Sequence, residues 1–262
     1  RRRFLSDLAA HTEENGINHI PHTFDMVWDD DLDRYLPHTI DSESDLFDHV
    51  SLIWAMALWI DSRDKGLFDR YDAYLDDREA DEEFLNECID DLLENHYSEA
   101  HGTLVTGSVD TIEVSRALDI LTRAAALLPD GETKERLTTL IEHQAEYIIN
   151  NILTDEGTVP LVEFGGEVPY ETQCLMERLG THVFPMLAVL EAYEVTGNER
   201  FLNEVMPAFL RFDKDKWVQE LGLYLSTGTV YKQDDWSKVE LEYTNTELIS
   251  TILLISALQP YM

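Results

Sequence analysis

The chain has few lysines, few cysteines and no long apolar run, and each shortage excludes a class of protein. Six residues are Lys and two are Cys, and Cys88 and Cys174 lie far apart without a CxxC motif. A disulfide-rich fold is therefore not expected, which fits a cytoplasmic protein. No stretch reaches the ~18 apolar residues of a membrane-spanning helix. A glycine-rich phosphate loop, a nucleophile elbow and an HExxH motif are also missing, so we expect no cofactor and no metal centre.

Acidic residues are abundant instead. The 53 Asp and Glu against 19 Lys and Arg give a formal net charge of -34, and 44% of the residues are hydrophobic. The acids recur between apolar positions at helical spacing, which indicates a folded domain with an acidic surface. Such a surface repels nucleic acids and anionic membranes. The composition resembles that of proteins from salt-in halophiles, where molar salt screens the self-repulsion; the alternative is an ordinary acidic protein.

The first five residues, RRRFL, are similar to a twin-arginine export motif. The residues that follow, SDLAAHTEENG, are polar. An export signal needs about 7 to 15 apolar residues at this place. We therefore expect no export signal here.

Self-alignment reveals a repeat of about 65 residues, which fixes the architecture before any local assignment. Four mostly apolar segments begin at His49, Glu113, His182 and Glu247, with spacings of 64, 69 and 65 residues. An amphipathic segment precedes each of them, near Phe4, Phe84, Leu137 and Phe201. Short glycine-containing pieces, NGINHI, HGTLVTG, EGTVPLV and LGLYLSTG, join the two kinds of segment. The pattern predicts an outer helix, a glycine turn, a β-like piece and a buried inner helix, four times.

This repeat, with the turn LEAYEVTGNERFLNEV at 190–205, resembles the (α/α) toroid or six-hairpin superfamily. The resemblance covers the whole chain. It implies an all-α, toroid-like array of about four helical hairpins with short β-like linkers, either as a single domain over 1–262 or as a piece of a larger toroid. That superfamily includes glycoside hydrolases, uronyl hydrolases, polysaccharide lyases and sugar epimerases. The resemblance therefore implies a carbohydrate-active enzyme that uses acid/base chemistry on a small-molecule or oligosaccharide ligand.

The resemblance also implies where a ligand would bind, because toroid funnels are lined by the N-terminal ends of inner helices. These ends carry His49, Glu113, His182 and Glu247. Imidazole and carboxylate both transfer protons near neutral pH. N-acylsugar 2-epimerases use a pair of inner-helix histidines, which only His49 and His182 could match; Glu177 and Arg178 lie close by in sequence as supporting residues.

Each candidate also has a structural interpretation. The segments Asp110–Glu113 and Thr244–Glu247 both fit a capping box, which we favour over catalysis for the two glutamates. The two histidines could instead be hydrogen-bonded core residues. If the glutamates cap helices and the histidines are core residues, the alternative function is a non-catalytic scaffold or partner-binding module. Its partner could be a second protein or the remaining hairpins of a toroid.

Acidic and aromatic residues are interleaved in the linkers, and this mixture favours a carbohydrate site. A pair of carboxyl groups can hydrolyse a glycosidic bond, and sugar rings stack on aromatic side chains. The linker carboxylates are Asp29, Asp30, Asp31, Asp33, Glu163, Glu167, Glu171, Asp234, Asp235, Glu240 and Glu242. The linker aromatics are Trp28, Tyr170, Tyr231, Trp236 and Tyr243. We predict substrate binding by Arg178, Trp28, Trp236, Tyr243, Tyr170 and Asp235.

The stretch HIPHTFDMVWDDDLDRYLPHT, at 19–39, is the most unusual of the linkers. We interpret it as an enlarged loop at the funnel edge, because long loops in compact repeats are often functional. His22 and His38 beside the aspartates could ligate a divalent metal, although their spacing matches no established motif. An isoprenoid-type toroid enzyme with an Asp-rich motif is a further alternative, but the basic residues that would hold a diphosphate are missing.

Overall fold

A computed structural model describes residues 22–41, 44–70, 78–106, 109–154, 157–158, 179–219, 222–224 and 245–262. Within these ranges the chain forms seven α-helices and four two-stranded sheets. The helices are α1 (Leu46–Asp64), α2 (Arg78–His96), α3 (Thr111–Leu127), α4 (Glu132–Asn151), α5 (Leu179–Thr196), α6 (Glu199–Lys216) and α7 (Asn245–Leu258), and a 3₁₀ helix follows at Gln259–Tyr261. The strands are β1 (Thr23–Asp29) with β2 (Arg34–Asp41), β3 (Tyr97–Ser98) with β4 (Thr103–Leu104), β5 (Leu153–Thr154) with β6 (Gly157–Thr158), and β7 (Trp217–Val218) with β8 (Leu223–Tyr224). In the described part of the chain no helix is both long and apolar enough to cross a membrane.

The predicted helices are confirmed wherever the structure describes them. The inner helices are α1, α3, α5 and α7, and the outer helices near Phe84, Leu137 and Phe201 are α2, α4 and α6. The predicted outer helix near Phe4 lies outside the described residues. Helix α1 begins at Leu46 because Asp45 and Asp48 form a reciprocal capping box, with each side chain accepting a hydrogen bond from the other residue's backbone N–H.

Three of the four predicted glycine linkers are confirmed as short two-stranded ribbons between an outer helix and the next inner helix, and the fourth, NGINHI at 15–20, lies outside the described residues. The ribbons are β3 with β4, β5 with β6, and β7 with β8. Gly102 and Gly222, in the turns of two of these ribbons, have φ angles of 68° and 65°. A side chain would be strained in this left-handed region, so glycine is required at both turns.

The chain divides into two compact units, of which the first is Arg1–Tyr97 with Arg123–Leu137. There α1 packs along α2, with Ile53, Ile60, Leu85 and Leu92 fully buried. The Arg63 guanidinium donates to the Asp81 carboxylate, and both side chains are only about one-tenth exposed. This buried ion pair joins the last turn of α1 to the first turn of α2.

The second unit is Ser98–Thr122 with Thr138–Met262. Here α5 packs against both α6 and α7. The buried Gln144 side chain accepts hydrogen bonds from Thr103 Oγ1 and the Leu104 N–H, at 2.8 and 3.1 Å, and its amide donates to the Val114 carbonyl at 3.4 Å. Gln144 therefore joins strand β4 to the first turns of inner helix α3. The expected single domain over 1–262 stays a prediction.

The stretch at 19–39 differs from its prediction as a loop. From Thr23 to Asp41 it forms an antiparallel hairpin of seven- and eight-residue strands, with Trp28 opposite Tyr35. Both strands contain several β-branched and aromatic residues, which favour extended backbone. At the turn, Asp29 Oδ1 accepts from the N–H groups of Asp31 and Leu32, and Asp33 has a φ of 52°. The aspartates interpreted as a loop signal therefore form a tight turn.

Candidate functional site

The four repeat-equivalent titratable residues all lie on the first turn of an inner helix. His49 is the fourth residue of α1 and His182 is the fourth residue of α5. Glu113 and Glu247 are the third residues of α3 and α7. The repeat found in the sequence therefore corresponds to equivalent helical positions.

His49 is buried at the start of α1, next to Ser44 and His96. The side chain is 1% exposed, and Ser44 Oγ lies 2.7 Å from His49 Nε2. Its ring contacts the ring of His96, which is the last residue of α2, with centroids 4.7 Å apart and planes at 65°. His96 is also buried. The contact between the two imidazoles is edge-to-face ring packing.

His182 occupies a more apolar environment. Its ring lies 6.1 Å from the Phe212 ring, centroid to centroid, and Phe212 stacks in turn on Tyr224 at 5.2 Å. Burial, and then the positive charge of Lys216, lower the pKa of His182 to about 3. Lys216 is itself buried, with 8% of its surface exposed. The imidazole is therefore neutral at neutral pH, the form that accepts a proton.

The two histidines occupy equivalent places in their hairpins. In an antiparallel pair of helices, the first turn of one helix lies beside the last turn of the other. His96 ends α2, which packs on α1, and Lys216 ends α6, which packs on α5. Each histidine therefore has a basic residue beside it from the end of the following outer helix.

Tyr224 and Asp213 extend the surroundings of His182. The Tyr224 hydroxyl donates to Asp213 Oδ1 at 2.5 Å, and the Trp217 ring packs on Tyr224 edge-to-face at 5.0 Å. Burial, and then the hydrogen bond to Asp213, raise the pKa of Tyr224 well above its usual value. The hydroxyl therefore stays protonated near neutral pH and can act only as a hydrogen-bond donor or as an acceptor through its lone pairs.

Asp110 caps helix α3, as the sequence predicted. Its Oδ1 accepts hydrogen bonds from the N–H groups of Ile112 and Glu113, at 2.8 and 2.9 Å. Glu113, the N3 residue, is half-buried. The cap places Glu113 on the first turn, and its catalytic role stays a prediction. For Glu247 the structure describes the backbone position, while Thr244 lies outside the described residues.

Trp28 is the predicted substrate-binding residue that the structure describes. It lies on β1 with 46% of its surface exposed, and its indole Nε1 donates to Asp30 Oδ1 at 3.0 Å. The other predicted binding residues and one catalytic candidate lie outside the described residues and stay predictions. They are Arg178, Trp236, Tyr243, Tyr170, Asp235 and Glu177.

In the described part of the chain, the residues that could hold a metal ion include other carboxylates than those that the sequence suggested. His22 Nδ1 donates to Asp48 Oδ2 at 2.8 Å, and with Asp45 these residues offer three ligand atoms within 4.8 Å of one another. The hydrogen bond to Asp48 raises the pKa of His22. Both carboxylates are already used in the capping box of α1, whose N-terminus carries partial positive charge. Helix capping therefore explains this cluster. His38 lies opposite Asp25 in the hairpin, away from the turn aspartates.

Two residues beside the candidate histidines, His96 and Lys216, were not singled out from the sequence. Both end an outer helix and precede an aromatic residue that starts a ribbon, Tyr97 and Trp217. A buried lysine is unusual, and this chain has few lysines. The repeat alignment of the outer-helix ends could therefore have identified both positions.

Comparison with known proteins supports the fold and leaves the family open. No family model and no curated protein matches the chain. Among solved structures, a D-mannose isomerase superposes with a TM-score of 0.53 at 11% identity, over 86% of this chain and 62% of that protein. A sugar epimerase from a ruminal bacterium gives a TM-score of 0.46 at 14% identity, over 70% of this chain and 45% of that protein. The chain thus spans less than two thirds of the length of either protein. The first comparison shows a shared fold of packed helical hairpins.

Proposed function

We propose that the chain is a carbohydrate-active enzyme, or a domain of one, with the (α/α) toroid arrangement. It acts on a sugar through proton transfer by His182 and His49. The observation that carries the proposal is the duplicated arrangement at the hairpin ends, where His49 lies beside His96 and His182 beside Lys216. The shared fold with a sugar isomerase supports the ligand class.

The lowered pKa of His182 suits a proton acceptor that becomes more basic as a bound substrate reacts. Hydrolysis, elimination and epimerisation of sugars all require a proton to move at the reacting centre. In the free protein the pKa of His182 is about 3, so the ring holds no proton at neutral pH. Negative charge developing on a bound sugar would raise that pKa, and the Lys216 ammonium would stabilise the same charge. The ring would then gain its proton as the substrate reacts.

The remaining predicted residues complete the proposal. Glu177, Glu113 and Glu247 are the carboxylates proposed to assist, and Arg178 with the linker residues Tyr170, Asp235, Trp236 and Tyr243 is proposed to bind the sugar. Their roles rest on the repeat and on the toroid resemblance. Trp28, which is exposed on β1, is the proposed binding residue with described surroundings.

The rival function is a non-catalytic scaffold that keeps buried histidines for packing. The 1% exposure of His49 and the apolar surroundings of His182 favour it. The two functions differ in whether a sugar stabilises the protein through these histidines.

A thermal-shift screen in molar KCl against neutral sugars, uronates and diphosphates separates the two functions. We expect one sugar class to raise the melting temperature of the wild type and of His143→Gln, an exposed histidine on α4. The same sugar should leave His182→Gln and His49→Gln unshifted. No shift with any class would contradict the enzyme and favour the scaffold. A shift with diphosphates alone would favour the isoprenoid-type alternative.

A further inference from the structure

The β1–β2 hairpin has one mainly apolar face and one face on which charged and apolar residues are mixed. Residues paired across an antiparallel ladder point to the same side, and successive pairs alternate. The first face carries the pairs Phe24 with Thr39, Met26 with Pro37 and Trp28 with Tyr35. The opposite face carries the pairs Asp25 with His38, Val27 with Leu36 and Asp29 with Arg34. Val27, which is 51% exposed, gives this second face apolar surface as well. A face as apolar as the first is normally packed against a core.

The outer part of the apolar face is nevertheless open. The exposed fractions are 40% for Met26, 46% for Trp28 and 59% for Tyr35. Pro37, at the centre of the same face, is buried. These three exposed side chains form the aromatic face of the hairpin. A cluster of large exposed apolar side chains on an otherwise acidic surface is typical of a binding site.

The aromatic face is held in a fixed arrangement before any ligand binds. The rings of Trp28 and Tyr35 meet edge-to-face at 77°, with centroids 5.1 Å apart. The indole N–H donates to Asp30, and the turn that carries Asp30 is fixed by the two hydrogen bonds to Asp29 Oδ1. Less side-chain entropy is therefore lost when a ligand binds.

We propose that the aromatic face binds a neutral oligosaccharide. The C–H face of a sugar ring stacks on the indole or phenol ring, and the Asp30 carboxylate accepts a hydrogen bond from a sugar hydroxyl. The choice of a carbohydrate rests on the proposed function. The charge of the hairpin favours a neutral one, because the hairpin has six aspartates and a single arginine, and this negative charge would repel a uronate. These residues are Asp25, Asp29, Asp30, Asp31, Asp33, Asp41 and Arg34.

The size of the aromatic face also favours a small ligand over a protein. A stable protein interface buries about 800 Å² and roughly 20 to 30 residues on each partner. The aromatic face offers three exposed side chains on one hairpin. Met26 and Trp28 are two residues apart, about 7 Å along the strand, which suits one or two sugar rings.

The test is isothermal titration calorimetry in KCl with maltotriose, cellotriose, mannotriose and trigalacturonate as probes. We expect at least one neutral trisaccharide to bind, and Trp28→Ala or Tyr35→Ala to weaken it by about tenfold or more. Tyr35→Phe keeps the ring and should bind like the wild type. Phe47→Ala removes an aromatic residue that is 51% exposed outside the hairpin, and it should also bind like the wild type.

Charge discrimination provides a second readout. At the lowest KCl concentration that keeps the protein folded, trigalacturonate should bind at least about tenfold more weakly than the neutral probe. Stronger binding of the uronate would overturn the inference.

Further outcomes separate this inference from the proposed function. Failure of every neutral probe to bind, or unchanged binding in Trp28→Ala and Tyr35→Ala, would overturn the inference. So would self-association in light scattering that Trp28→Ala abolishes, because a second copy would then occupy the face. Binding that depends on Trp28 without sugar turnover would support the inference and contradict the proposed enzyme. Sugar turnover by the wild type, together with unimpaired sugar binding by Trp28→Ala, would support the proposed enzyme and overturn the inference.

Discussion

Replacing His182 by Gln should change how the stability of the protein depends on pH. The pKa of the ring is about 3 in the folded protein, against 6.5 for an unperturbed histidine. The folded state therefore resists protonation at this ring between these two values, while the unfolded state accepts the proton. The stabilisation is complete above pH 6.5 and is lost as the pH falls towards 3.

The expected magnitude follows from this pKa difference. At pH 8 neither state binds the proton, so His182 adds no pH dependence there. At pH 5 the unfolded state gains about 2 kcal/mol from binding it, and the folded state gains almost nothing. Relative to the wild type, His182→Gln should therefore be about 2 kcal/mol more stable at pH 5 than at pH 8, whatever the packing cost of the substitution.

Urea unfolding at both pH values, at fixed KCl concentration, measures this difference. The carboxylates titrate in all variants and cancel in the comparison. His143→Gln, at an exposed position on α4, should follow the wild type at both pH values. If the wild type and His182→Gln lose the same stability between pH 8 and pH 5, His182 is not buried in its neutral form and its proposed role as a proton acceptor fails.

Three further predictions concern the remaining structure. Arg63→Met leaves the buried Asp81 carboxylate unpaired and should lower the free energy of unfolding by about 3 to 5 kcal/mol. Lys134→Met removes the partner of Asp130, which is 99% exposed, and should change the free energy of unfolding little. If both substitutions lowered that free energy equally, the burial of the Arg63–Asp81 pair would be contradicted. Burial raises the pKa of the Cys88 thiol to about 12, so mass spectrometry should find Cys88 unmodified by iodoacetamide at pH 8 until urea unfolds the protein. Modification of the folded protein would contradict that burial. We propose a salt-adapted protein, for which the melting temperature should rise with KCl concentration and respond much less to sucrose, because only the salt screens a net charge of -34. A melting temperature independent of KCl would refute this adaptation.

Much of the helical architecture could be predicted because the repeated sequence pattern distinguishes apolar inner helices from amphipathic outer helices. Inner helices such as α5, with LGTHVFPMLAVLEAY, are apolar on nearly all sides, whereas outer helix α6 buries one stripe that includes Phe201, Val205 and Phe209. This contrast, with glycine in the turns of two ribbons, is a local signal that a single sequence contains. The sequence does not show which helices pack together, such as α5 with α7, because that depends on contacts between distant segments.

The hairpin of β1 and β2 shows why the site could be predicted only in part. The aspartates of DDDLD suggested a loop, and the β-branched and aromatic residues around them, such as Phe24, Val27 and Trp28, were the stronger signal. The pairs of His49 with His96 and His182 with Lys216 depend on antiparallel packing. Their members are 47 and 34 residues apart, so no local motif connects them.

The most direct test of the proposed function is proton NMR of sugar mixtures incubated with the protein in molar KCl and D₂O. The mixtures should include neutral aldoses, ketoses, oligosaccharides and unsaturated uronates. We predict that one class loses or exchanges a carbon-bound proton, or acquires new anomeric signals, and that His182→Gln and His49→Gln abolish the change while His143→Gln retains it. If no class changes in the presence of the folded wild-type protein, or if His182→Gln and His49→Gln both turn over the sugar as fast as the wild type, the proposed acid/base function is contradicted.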